Sequence, residues 1–327
     1  MRAKTLLLAA VAAGALMAGI SSAEAAKLKI GFLPGVVDPF YQVMQLGVEA
    51  AAKDLGYDVV TQVPPTWGVE AQTPLLNAMV ARGDINYIIT APVDQDQMVA
   101  PLKAAVDAGI KVITVDTFLG DGDYANGKVT FPISYIGSDN EEGGRISADG
   151  LAKAIGEKGT VYINSTNPNV SSVEAREKGF AAEMKEKYPN ITVLGPDYNL
   201  DDQNKAQQQT AAVLQQHPDL AGVFGTNVFS AQGAGTAVAN AGLTGKVQVV
   251  AYDATKAAMD LMSKGTVSLV LAQKPFDMGY LAVEFALADN AGVTSLPRRV
   301  ETGFAILDKD NANDPAFSRF VYQVPGQ

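Results

Sequence analysis

Residues 27–62 read KLKIGFLPGVVDPFYQVMQLGVEAAAKDLGYDVVTQ, and this stretch decides the fold. Its two ends, 27–33 and 58–62, are short, β-branched and bounded by turn residues, the signature of strands. Between them, 39–55 opens on a proline, carries apolar residues at helical spacing and is followed by Gly56, so it reads as a helix. Strand, helix and strand in that order make the βαβ unit of a parallel sheet.

The unit repeats outward from there. Strands are predicted at 85–90 and 111–116, and helices at 69–82 and 94–108. After a break rich in Gly, Asp and Asn at 120–127 the alternation restarts. Strands are predicted at 160–164, 191–194, 222–226, 247–253 and 268–273, and helices at 141–155, 173–188, 203–216, 231–241, 256–263 and 276–288. The expected class is α/β: two doubly wound, Rossmann-like parallel-sheet domains of five or six strands each. A chain of 327 residues also exceeds one ordinary core.

The first residues, Met1-Arg2-Ala3-Lys4, precede an uncharged apolar run at 6–20 and then Ser21-Ser22-Ala23-Glu24-Ala25. That is the pattern of a secretory signal, with cleavage expected after Ala25. The run is too short for the ~20 apolar residues that span a bilayer. With no cysteine in the chain there is no disulfide, thiolate or lipid-bearing thiol, and a free periplasmic protein is expected. Lys and Arg number 25 against 35 Asp and Glu, a formal charge of -10 that repels phosphate backbones and argues against nucleic acid.

In open parallel sheets ligands sit beyond the carboxyl ends of the strands. Those ends are polar here: Asp116-Thr117, Asn164-Ser165-Thr166-Asn167, Thr226-Asn227, Asp253 and Gln273. Each also has a purely structural reading. Asp38 before Pro39 makes a helix cap, Phe40 and Tyr41 staple a helix to its sheet, and Asx residues favour turns at strand ends.

Enzyme chemistry has little to work with. His217 is the single histidine and stands where a helix ends before a proline, so no Ser-His-Asp, Cys-His or His-rich metal site can be assembled. Gly233-Ala234-Gly235 does not directly follow a strand, and no P-loop is present. The acidic run at 308–313 has Ala at the fifth position of a calcium loop and lacks the glycine at the sixth. Neither an enzyme, a cofactor nor a metal is expected.

Eight short motifs carry a resemblance: Ile30-Gly31-Phe32, Asp38-Pro39-Phe40-Tyr41, Val115-Asp116, Gly137-Ser138-Asp139-Asn140, Ala175-Arg176-Glu177-Lys178-Gly179-Phe180, Phe224-Gly225-Thr226-Asn227, Val250-Ala251-Tyr252-Asp253 and Ala272-Gln273. In order and interval they resemble the type I periplasmic binding proteins, above all the ribose- and galactose-binding receptors of ABC transporters. The resemblance covers nearly all of the chain beyond the signal. It implies two lobes joined by a three-segment hinge, 26–138 plus 274–303 and 139–273 plus 304–327, with crossovers near Asp139, at 253–255 and at Gln273.

It also implies that Asp38, Phe40, Tyr41, Asp116, Arg176, Asn227, Asp253 and Gln273 line an interlobe cleft. Carboxylates accept from hydroxyls, a guanidinium and amides donate, and aromatic faces cover C–H surfaces, chemistry suited to a neutral sugar or sugar alcohol. Thr117 stands where ribose receptors carry arginine, and Ala91 where they carry asparagine, so binding in the ribose manner is not expected. Trp67, the only tryptophan, and Tyr198 are further candidates for the cleft. The implied protein is a monomeric receptor that closes around its ligand and is recognised by a membrane permease. A cationic or quaternary-amine ligand, or a sensory co-receptor role, is the alternative with the same fold.

Overall fold

The computed structural model describes residues 28–324. The signal expected at 1–25 lies outside the described residues. Strand β1 (Lys29–Leu33), helix α1 (Pro39–Leu55), β2 (Asp58–Thr61), α2 (Val69–Ala81), β3 (Tyr87–Thr90), α3 (Val99–Asp107), β4 (Lys111–Val115) and β5 (Tyr135–Gly137) build the first lobe. The second lobe takes α4 (Asn140–Ala154), β6 (Gly159–Ser165), α5 (Ser171–Lys187), β7 (Ile191–Tyr198), α6 (Gln203–Gln216), β8 (Leu220–Gly225), α7 (Val228–Asn240), β9 (Gln248–Tyr252), α8 (Lys256–Ser263) and β10 (Val267–Ala272). The chain then returns to the first lobe with α9 (Pro275–Asn290) and β11 (Arg299–Glu301), and ends in the second with β12 (Ala305–Leu307) and α10 (Pro315–Ser318).

Each sheet has six strands, in the orders β11-β5-β4-β3-β1-β2 and β12-β10-β9-β8-β6-β7. Every pairing is parallel except that of β12 with β10. Helices on both faces make the central strands fully buried, which is why these read as continuous Ile and Val runs. The three strands that the sequence does not announce, β5, β11 and β12, are three residues long each, too short for any periodicity to register. Strand β7 runs on through the cis Gly195–Pro196 bond to Tyr198, four residues past its predicted end. It is the edge of its sheet, where a proline deprives no neighbour of a donor. Helix α3 starts five residues late because Asp94 Oδ1 accepts from the amides of Asp96 and Gln97, forming a turn in place of a first helical turn.

The chain passes between sheets after β5, after β10 and after β11. The crossover expected at 253–255 is a correction: Asp253 donates its amide to Leu271 within the second sheet, and Thr255 caps α8 in the same lobe. The third crossing comes instead at the tight link between β11 and β12, where the lobe bounds implied by the resemblance change from 303 to 304.

Each lobe contains a helix pair that touches backbone to backbone. A Cβ on Gly47 of α1 would stand 2.1 Å from the Phe276 carbonyl at the start of α9, and one on Gly279 of α9 would stand 2.2 Å from that of Met44. The second lobe repeats the device with α4 and α5: Gly144 faces the Arg176 carbonyl at 2.1 Å, and Gly179 that of Glu141 at 1.9 Å. This close approach sets the position of Arg176. Replacing Gly179→Ala should destabilise the protein by about 2 kcal/mol in urea unfolding, outweighing the roughly 1 kcal/mol that alanine gains as a helix former. An unchanged or higher unfolding midpoint would show that α4 and α5 can part without cost.

Candidate functional site

The carboxyl ends of both sheets face each other across a cleft, and the lobes meet around it. The Gln95 amide donates to the Asn169 carbonyl at 3.0 Å, Gln95 Nε2 to Glu174 at 3.0 Å, and the Phe118 amide to Ser171 Oγ at 2.8 Å. Between them lies a small cavity, about 380 Å3 counted to its mouth. Asp38, Phe40, Tyr41, Trp67 and Asp116 line it from the first lobe, and Arg176, Asn227, Asp253 and Gln273 from the second.

Three aspartates reach the cavity from left-handed backbone: Asp116 (φ 60), Asp201 (φ 59) and Asp253 (φ 72). Asp and Asn tolerate this region better than other residues with a Cβ, so a strand can end there and turn its last carboxylate inward. Asp116 Oδ2 accepts from Tyr41 Oη at 2.6 Å. Asp253 Oδ1 accepts from Gln273 Nε2 at 2.9 Å and Tyr322 Oη at 2.8 Å. Gln273 Oε1 in turn accepts from Ser138 Oγ at 2.9 Å, so two of the three crossings are hydrogen-bonded to each other through a cavity residue. Asp38 and Asn227 serve as caps while lining the cavity, accepting from the amides of Tyr41 (2.7 Å) and Ser230 (3.0 Å). The structural and functional readings of these residues are therefore both true at once.

Arg176 is buried and held on three sides. Its Nε donates to Asn140 Oδ1 at 2.8 Å, its Nη1 to the Thr226 carbonyl at 2.9 Å, and its guanidinium lies 4.0 Å from the centre of the Tyr252 ring. Nη2 stands 3.9 Å from Asp116 Oδ1, and no described residue takes a hydrogen bond from it. The aromatic wall belongs to the first lobe: Phe40 and Tyr41 meet edge to face at 5.0 Å, and the Trp67 ring, fixed by Nε1 donating to the Val93 carbonyl at 2.9 Å, lies 6.3 Å from Tyr41.

Two candidates fall elsewhere. Thr117 is buried in its own lobe, with Oγ1 donating to the Pro92 carbonyl at 2.8 Å. Tyr198 sits on edge strand β7 with its hydroxyl 3.5 Å from Glu177, away from the cavity. Thr166, at the polar end of β6, also lines the cavity, and Asp201, Val170, Ser172 and Val173 line it without having stood out in the sequence. The signal for Asp201 was available only as an aspartate just after a strand whose end was misplaced. Tyr322, which donates to Asp253 and lies 6.1 Å from the Phe40 ring, comes from a tail with no regular structure to flag it.

Burial raises the pKa values of all four cavity aspartates. Asp116 is pushed up to about 6, opposed by the Arg176 charge and the Tyr41 hydrogen bond, and Asp201 to about 6, opposed by Asn227. Asp38 and Asp253 are raised by the same cause. Folded-state values above the unfolded ones mean that between about pH 4 and 6 the folded chain binds more protons, so stability falls as pH rises through that window. The unliganded protein should melt higher at pH 5 than at pH 7. Asp116→Asn should stabilise it at pH 7 by about 1–3 kcal/mol and flatten that slope, as calorimetric melting across pH will record; a variant less stable at pH 7 with the slope intact would contradict the assignment.

A family model described as periplasmic binding protein domain matches residues 30–290. The chain is 28% identical over 299 residues to the D-allose-binding periplasmic protein of Escherichia coli K12, covering 90% of this chain and 94% of that one. It is 30% identical over 281 residues to the ribose import binding protein of Salmonella typhimurium LT2, covering 84% and 89%. Among solved structures it is similar to an ABC transporter solute binding protein from Agrobacterium vitis bound with α-D-tagatopyranose, with a TM-score of 0.88 at 45% identity over 91% of this chain and 100% of that one. The family model covers strands β1 to β10 and every residue that lines the cavity, and the chain belongs to the periplasmic binding protein family.

Proposed function

We propose that this chain is the sugar-binding component of an ABC importer, which takes one neutral monosaccharide or sugar alcohol between lobes 26–138 plus 274–303 and 139–273 plus 304–327 and closes on it. The observation that carries this reading is the polarity of the cavity: buried carboxylates from both lobes converge with an Arg176 Nη2 that has no acceptor among the described residues. A ligand rich in hydroxyls answers both needs, because each hydroxyl donates once and accepts twice. An anion would meet the carboxylates, and a cation would meet Arg176. Phe40, Tyr41 and Trp67 supply faces for the C–H surface of a ring.

Hydrogen bonds to charged groups contribute about 1.5–3 kcal/mol each, and a micromolar ligand needs about 8, so four or five such contacts suffice. Among relatives, a solute binding protein from Actinobacillus succinogenes with bound D-allose has a TM-score of 0.79 to this chain at 30% identity. The family supports residence in the periplasm, and export by cleavage after Ala25 is part of the proposal. So are action as a monomer, recognition of the closed form by a membrane permease, and the absence of chemistry on the ligand.

Calorimetric titration and melting with pentoses, hexoses, alditols and quaternary amines tests the reading. A neutral sugar or alditol should bind at micromolar affinity or better, and at 100 times its Kd it should add about 2.7 kcal/mol of stability. Asp253→Ala should weaken that binding by at least about 100-fold while the unliganded protein still unfolds in a single cooperative transition. A response to the amines alone would turn the assignment to a cationic ligand.

A further inference from the structure

The loop after β7 reads Tyr198-Asn199-Leu200-Asp201-Asp202, and both Leu200 (φ 61) and Asp201 (φ 59) stand in the left-handed region. Two successive residues with a Cβ rarely adopt it, and leucine has no side-chain hydrogen bond to offset the strain. The turn is nevertheless fixed from below. The Asn199 amide donates to the Ser165 carbonyl and that of Leu200 to Thr166, both at 2.8 Å. The buried Asn199 side chain donates to Asn164 Oδ1 and to Ser230 Oγ, both at 2.7 Å.

The turn does not serve to bury apolar surface: it leaves Leu200 58% exposed. What it achieves is to bring Asp201 to the cavity. There Asn227 Nδ2 donates to Asp201 Oδ1 at 2.7 Å, while Asn227 Oδ1 is occupied by the Ser230 amide. Asn227 is thus a positioning residue that aims Asp201. Among the described residues, none donates to Asp201 Oδ2. A carboxylate placed at a strained turn, near the like charges of Asp38 and Asp253, weakens the unliganded fold. Its retention calls for a donor supplied from outside.

We propose that Asp201 is a specificity-determining residue: its Oδ2 accepts a hydrogen bond from one hydroxyl of the bound monosaccharide, so the site refuses ligands alike in every other respect that lack or block that hydroxyl. This rests on the reading of the cavity as a monosaccharide site. A buried acceptor left unpaired by a deoxy ligand penalises that ligand by about 10- to 100-fold, more than a pocket can achieve by shape alone against one missing oxygen.

The test uses D-tagatose, D-allose or whichever panel sugar binds tightest, with its monodeoxy and mono-O-methyl derivatives, titrated into the wild-type protein, Asp201→Gly and Asp201→Asn. In the wild type one ring position should show a deoxy penalty of about 10- to 100-fold. In Asp201→Gly the parent sugar should lose a similar factor and the penalty at that position should shrink below about threefold, while other positions keep theirs; Asp201→Asn should recover part of the loss. The unliganded Asp201→Gly should also melt higher than the wild type by about 2 °C or more, because glycine relieves the strained turn and removes the buried charge. A residue kept only to hold the loop would give a lower melting temperature.

Unchanged affinity for the parent sugar, or a deoxy pattern identical to that of the wild type, overturns the role of Asp201 while leaving the sugar reading standing. A wild type that binds no sugar or alditol overturns the sugar reading, and this inference with it.

Discussion

The site depends on one guanidinium. Arg176 is the only basic side chain that lines the cavity among the described residues, set against Asp38, Asp116, Asp201 and Asp253 from two lobes. Burying Asp38, Asp116 and Asp253, with Asp201 half-buried beside them, against one cation leaves an excess of negative charge that water solvates poorly. Neutral donors relieve part of it: Tyr41 on Asp116, Gln273 and Tyr322 on Asp253, Asn227 on Asp201. A closed cleft is costly with these groups unsatisfied and favourable once a ligand's hydroxyls complete the network. Binding and closure are then coupled because one set of hydrogen bonds drives both.

Everything around the guanidinium serves its placement. The parallel sheets aim strand ends at the cleft, and left-handed aspartates let those ends turn their carboxylates inward. Arg176 sits on α5 where Gly144 and Gly179 allow its helix to lie directly on α4, so its carbonyl touches one neighbour while its side chain spans to Asn140 and Thr226. The first lobe repeats the glycine crossing in α1 and α9, and α1 is the helix that presents Phe40 and Tyr41. The two lobes thus apply the same packing device to opposite ends of the job: one fixes the charge, the other the aromatic wall.

Much of this was legible in advance, for physical reasons. Two buried parallel sheets write themselves as alternating β-branched runs and amphipathic helices, and strand ends at a ligand site must be polar. Asp116, Asp253, Asn227 and Gln273 were therefore readable as strand-end polar groups, and Arg176 through the resemblance of its motif. Thr117 and Tyr198 were candidates on the same logic of position, and the structure turns them toward Pro92 and Glu177. Being next to a strand end does not say which way a side chain faces.

The class of fold, the doubling of the lobe and the polar character of the cleft are legible in local patterns repeated along the chain. Which carboxylates share a cavity, that Asp201 joins them, and that Tyr322 from an irregular tail holds Asp253 depend on contacts between segments far apart in the chain. The same holds of β5, β11 and β12, which exist only through pairing with strands distant in sequence. A three-residue strand or a strained turn has no signature of its own. Its conformation is stabilised by partners the chain meets only after it has folded.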